Sequence, residues 1–261
     1  MRLLFFAGLI LLLASCNSNA HKEHEPAIDS IINTSEQGVP DKNPAAIVAH
    51  KIEKGQLPAT IKFKGVLQEA WQWTDKLGDN ILITSAVEPY DDKQKNQYDE
   101  EGQTAELHAF HFVKKENDWQ LLWKISDAEK ACPFDITSAF VKNATTVTDL
   151  DKDGIAETTV QYKLACRSDV SPAMMKLIMH EDTAKYSLRG LMWIKASEKE
   201  TFTVKEGDQD LEKQPAKKDE YDAYLQTMGR YQTEKEFSAA PPSFLDYAKK
   251  QWFKYTVETF E

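Results

Sequence analysis

From about residue 58 onward one pattern dominates the chain. Short runs of β-branched and aromatic residues alternate polar with apolar side chains and are cut by tight turn signals. Leu107 to Val113 and Trp119 to Ile125 flank Lys115-Glu116-Asn117-Asp118, which reads as a hairpin. Ile61 to Val66 alternates cleanly, and Ile81 to Thr84 follows the turn signal Gly78-Asp79-Asn80. Phe134 to Val141, Thr145 to Thr148 and Thr158 to Leu164 continue the series. Met175 to Met179 and Tyr186 to Ile194 then flank Glu181-Asp182-Thr183. A period of two places alternate side chains on opposite faces, and close turns leave room only for antiparallel neighbours. The prediction is a mainly β domain over 46–261, an antiparallel meander closed as a sandwich, a barrel or a partial propeller-like sheet.

One or two helices are expected at the C-terminal end. Residues 196–220 are charged and read as an excursion from the domain. Tyr221, Tyr224, Leu225, Met228 and Tyr231 follow helical spacing. A second helix is predicted over 243–258, with Ser243 and Asp246 as a capping-box-like pair after Pro241-Pro242. Its stripe Phe244, Ala248, Trp252 and Tyr255 is expected to pack on the sheet.

The other end of the chain carries an address. Met1-Arg2, the apolar run Leu3 to Leu13 and the small residues Ala14-Ser15 describe a secretory signal over 1–15. As a helix the run reaches about 17 Å, short of the ~30 Å hydrocarbon core. Leu13-Ala14-Ser15-Cys16 resembles the bacterial lipobox, which implies cleavage before Cys16 and lipidation of its thiol. Several acyl chains anchor a protein stably. Asn17 lacks the aspartate that retains lipoproteins at the inner membrane, so an outer-membrane or surface location is expected. Residues 16–45 are polar and aperiodic, a disordered tether that holds His21 and His24. The net charge of −10 over 261 residues opposes binding to phosphate backbones, which excludes nucleic acid as a partner.

One motif carries chemistry. Asp149-Leu150-Asp151-Lys152-Asp153-Gly154-Ile155-Ala156-Glu157 places three carboxylates at alternate positions before a glycine, so a short loop can wrap oxygens around one hard cation. Its flanks are strand-like, and Val160 stands where an EF-hand needs a bidentate acid. The loop resembles the calcium hairpins of FG-GAP and VCBS repeats. That resemblance implies calcium held by Asp149, Asp151 and Asp153, by the Ile155 carbonyl, and by Glu157 in place of the usual aspartate. The ion is expected to be structural. The motif occurs once among only ten glycines, which argues against a complete propeller of such repeats.

Cys132 and Cys166 lie 34 residues apart in an oxidising compartment and are expected to form a disulfide. The strings around them, Cys132-Pro133-Phe134-Asp135-Ile136-Thr137, VTDLDKDGIAE, Cys166 to Pro172, MKLIM and Lys185 to Gly190, resemble envelope proteins of gliding-type Gram-negative bacteria labelled "surface polysaccharide biosynthesis protein". The resemblance covers residues 60–260 and implies a pathway without implying a reaction.

No nucleophile elbow, zinc-protease helix, phosphate loop or dinucleotide fingerprint is present. His108 and His111, three apart on a strand, point to opposite faces, whereas Trp71 and Trp73 share one and read as core. Arg167, Asp169 and Arg189 form a candidate site for an acidic sugar or another anion, against the alternative that Arg167 pairs with Asp169 to brace the hairpin. The expected function is accessory: a calcium-stabilised, lipid-anchored protein that binds or handles envelope polysaccharide. A glycan-acting enzyme with an unidentified carboxylate pair and a purely structural envelope lipoprotein stand as alternatives.

Overall fold

A computed structural model describes residues 46–96, 99–195 and 201–258, all within the compact unit Asn43–Glu261. The signal segment, Cys16 and the tether lie outside the described residues. The first sheet is a five-stranded meander of β1 (His50–Lys51), β2 (Val66–Asp75), β3 (Gly78–Lys95), β4 (Glu101–Lys115) and β5 (Asp118–Cys132), paired in chain order. The second contains β6 (Asp135–Phe140), β7 (Thr146–Thr148), β8 (Glu157–Arg167), β9 (Met174–Glu181) and β10 (Ala184–Leu191). Its order is β10-β9-β8-β6, and β7 pairs with β8 beyond the end of β6. All strand pairs are antiparallel, and the two separate sheets pack on a shared apolar layer as a sandwich.

The alternation of side chains builds three apolar layers. Between the sheets, Trp73, Leu82 and Leu107 of the first meet Val160, Tyr162 and Ile178 of the second. The opposite face of the first sheet, with Ile81, Ile83 and Phe112, is covered by Ile52 and Ile61 from the segment before β2. The opposite face of the second, with Met175, Leu177 and Leu188, is covered by Tyr231, Phe244 and Trp252. Phe244, Ala248 and Trp252 of the predicted stripe are the buried residues of α2 (Pro242–Tyr255), whereas Tyr255 is half-buried and its hydroxyl donates to the Asn143 carbonyl at 2.6 Å.

Several local expectations are corrected. Residues 61–65 form no strand, although Ile61 and Phe63 pack on the first sheet. Gly65, at φ 87°, turns the chain immediately before β2. Helix α2 begins at Pro242 with Pro241 as its N-cap, and no side chain caps it. Proline suits the first helical position because that amide would have no intrahelical partner anyway. The first helix, α1, stops at Glu220–Thr227 and buries none of its residues. In the stretch read as an excursion, Val204, Gln209 and Asp210 are buried, and residues 196–200 lie outside the description.

Cys132, at the end of β5, is bonded to Cys166 in β8, which ties one sheet to the other. Gly102 makes room beside it: a Cβ there would meet the Cys132 carbonyl oxygen at 2.3 Å. Closing a 34-residue loop removes chain entropy worth about 3–4 kcal/mol from the unfolded state. Replacing both cysteines by alanine is therefore expected to lower urea-unfolding stability by that amount. A loss under about 1 kcal/mol would show that the unfolded chain is not constrained by this link.

Candidate metal centre

Strands β7 and β8 pair from Thr148↔Glu157, so residues 149–156 are the tip of a hairpin. Lys152 at φ 61° and Gly154 at φ 83° provide the left-handed residues that curl it. Each aspartate also shapes the loop: the backbone N–H of Asp153 donates to Asp151 Oδ1 (3.2 Å), and that of Ile155 to Asp153 Oδ1 (2.7 Å). The N–H of Gly154 reaches Asp149 Oδ1 at 3.4 Å. One carboxylate oxygen from each of Asp149, Asp151 and Asp153 then lies within 4.8 Å of the others. The motif's three carboxylates do converge, and they form a cluster able to hold a metal ion.

The first sheet buttresses this tip. The β2–β3 turn docks on it, with the Lys76 N–H donating to the Gly154 carbonyl at 2.9 Å. The Lys76 ammonium also donates to the Asp153 carbonyl. Asp75 Oδ2 accepts the Ala156 N–H at 3.1 Å and the Trp73 indole N–H at 2.9 Å. The loop is thus held by its own sheet and by the facing one.

A second set sits beneath the first: oxygens of Asp151, Glu157 and Glu181 are also within 4.8 Å of one another. Glu157 is fully buried and accepts from the Thr148 hydroxyl and the Leu150 N–H, each at 2.9 Å. Burial pushes its carboxyl up to about 7. Glu181, the register partner of Glu157 on β9, is also pushed up to about 7, first by burial and then by the charges of Asp151 and Asp153. Its Oε1 is buried without a hydrogen-bond partner among the described residues. A carboxylate that costs this much to ionise, beside three others, fits a site completed by a cation. Glu181 was not identified as a site residue from sequence, where it reads only as part of a charged turn.

The anion candidates are placed differently. Arg167 makes a two-pronged pair with Glu258 (2.8 and 3.0 Å), a carboxylate that also accepts the Ala173 N–H and pairs with Lys163. Arg189 pairs with Glu236, next to Ser187. Asp169 is exposed, and its charge acts on Arg167 and on Tyr224. The two arginines therefore serve two separate carboxylates. Trp73 is buried between the sheets, while Trp71 is half-buried with Lys51 Nζ 5.0 Å from its ring centroid.

No family model matches the chain, and neither a curated protein nor a solved structure matches it. Among the described residues no helix is long and apolar enough to cross a membrane.

Proposed function

We propose that this chain is a lipid-anchored envelope protein whose β-sandwich is stabilised by one calcium ion and which serves an accessory role in handling surface polysaccharide. The observation that carries the metal reading is the convergence of Asp149, Asp151 and Asp153 over the buried Glu157 and its half-buried register partner Glu181. Calcium takes six to eight oxygens in flexible geometry, which suits a carboxylate-rich loop better than magnesium's strict octahedron. Asp149, Asp151 and Asp153 give side-chain oxygens, Ile155 its carbonyl, and Glu157 closes the site with Glu181 behind it. Bound there, the cation neutralises the loop and locks the β7–β8 tip against the β2–β3 turn. The Cys16 lipobox and the tether support anchoring, and the strings between residues 132 and 190 support the polysaccharide pathway.

Two measurements test this reading. A ligand that binds only the folded state at a hundred times its dissociation constant stabilises by about 2.7 kcal/mol. Calcium at such an excess is expected to raise the thermal midpoint by several degrees, and Asp149→Ala, Asp151→Ala to abolish the response. A midpoint indifferent to calcium and to chelator would remove the ion from the account. Deleting the gene is expected to shift the surface-polysaccharide profile, with rescue by the wild type and not by that double variant. An unchanged profile would leave the pathway without support.

A further inference from the structure

The described residues cover only half of the outer face of the first sheet. Phe110 and Phe112 lie under the segment 52–63, but farther along the same face β4 presents Thr104, Glu106 and His108 to a polar cleft of about 370 Å³. Ser126 of β5 stands directly opposite His108. Its Oγ lies 3.0 Å from His108 Nδ1. On the other side of the ring, Nε2 lies 3.1 Å from Glu106 Oε2, off the line of a formed hydrogen bond. The exposure is graded: Ser126 is open to solvent, whereas His108 is only 6% exposed. Glu106 is fixed in turn by the Lys64 ammonium, at 2.5 and 2.7 Å, and by the Tyr90 hydroxyl at 2.8 Å.

A hydroxyl within reach of an imidazole whose other nitrogen faces a carboxylate is the arrangement that activates a serine. Such contacts are often loose without substrate and tighten in the complex. The geometry points to a serine-dependent acyl-ester hydrolase site at Ser126, His108 and Glu106, taking a short O-acyl ester of a polar alcohol. Glu106 favours the tautomer with hydrogen on Nε2, which leaves Nδ1 as the base. Burial lowers the His108 pKa, so the ring is neutral when it must accept a proton. Ser126 Oγ bonds to the acyl carbon as its proton passes to Nδ1. The intermediate collapses, and the departing alkoxide takes that proton. Water then attacks the acyl-serine and gives its proton to His108. Release of the carboxylic acid returns the hydrogen to Ser126. Net, ester and water become acid and alcohol, with no further reactant. Lys130 lines the same cleft and offers a cation to the developing oxyanion. The polar walls favour a hydroxylated leaving group and a small acyl group.

This assignment goes beyond the calcium and polysaccharide reading and does not depend on it. The test uses the full chain in detergent micelles, with a fluorophosphonate–biotin probe and p-nitrophenyl acetate. The probe is expected to label Ser126, located by peptide mass spectrometry. Ser126→Ala, an exposed position, is expected to keep the near-UV circular dichroism and lose at least ~100-fold in hydrolysis. His108→Gln should lose both labelling and hydrolysis. Glu106 is a positioning residue, and Glu106→Gln should lower kcat with KM unchanged. A folded wild type that is not labelled at Ser126, or a Ser126→Ala variant as active as the wild type, overturns the assignment.

Discussion

Replacing Trp252 by alanine is expected to destabilise the domain by about 3–5 kcal/mol, the usual cost of removing a buried tryptophan from a core that cannot collapse around the gap. The side chain is wholly buried in α2. It meets the Tyr231 ring edge-on, with centroids 5.5 Å apart at 88°. Its indole N–H donates to the Gly229 carbonyl at 3.1 Å. Three pieces of chain converge on it: the helix, the 229–231 segment and the outer face of the second sheet. Alanine would leave a cavity at that junction and a buried carbonyl without its donor. Trp252→Phe should keep most of the packing and lose mainly the hydrogen bond, costing about 1–2 kcal/mol. Urea unfolding of both variants checks the order. A Trp252→Ala loss below about 1 kcal/mol would mean that α2 contributes little to holding the second sheet.

The antiparallel meander was legible because its evidence is local, whereas its closure as a sandwich and not a barrel or partial propeller was not. The turn at Lys115–Asp118 and the alternation on either side imply an antiparallel pair whatever lies elsewhere in the chain. The β7–β8 hairpin was legible for the same reason, since its carboxylates alternate within one short stretch of sequence. What failed or stayed hidden depends on non-local geometry. Ile61 and Phe63 alternate like a strand, but alternation records burial and not backbone pairing, and no neighbour pairs with residues 61–65. Glu181 joins Glu157 only because β8 and β9 pair in one particular register. Ser126 shows the point most sharply. The turn pairs Lys115 with Asp118, and that register continued along the ladder would set Ile125 against His108. An irregularity between His111 and Phe112 slips the ladder by one residue, so Ile125 faces Ala109 and Ser126 faces His108. A one-residue slip exchanges the faces of every side chain beyond it, and no turn signal announces it.

Acid is expected to unfold this domain through two histidines in the core. His111 is buried between Trp73 and Trp123, with centroids 5.0 and 5.4 Å away, and His180 stacks on Trp123 at 4.0 Å. The Asn80 amide nitrogen already donates to Asp75 and to Gly78, so its oxygen faces His111 Nε2 at 2.9 Å and that nitrogen carries the hydrogen. Nδ1 of His111 and Nδ1 of His180 are buried without a partner among the described residues. Burial pulls His111 down to about 4 and His180 to about 3. In the unfolded chain both titrate near ~6.5. The folded values are the lower ones, so the stability they support is complete above pH ~6.5 and lost as the pH falls toward them. Between pH ~6.5 and ~4.5 each contributes a loss of about 2.5 kcal/mol, on the order of 5 kcal/mol together. Glu157 and Glu181 act in the opposite sense in the metal-free protein, because their raised values let the folded state take up protons first. Comparing the wild type with His111→Gln cancels that contribution, since the carboxylates are common to both. The wild type should lose about 2–3 kcal/mol more than the variant over that range, measured by urea unfolding at each pH. Parallel curves would mean that His111 finds an acceptor when protonated. The structure gives the opposite expectation, because a proton on Nδ1 creates a buried donor with nothing to receive it.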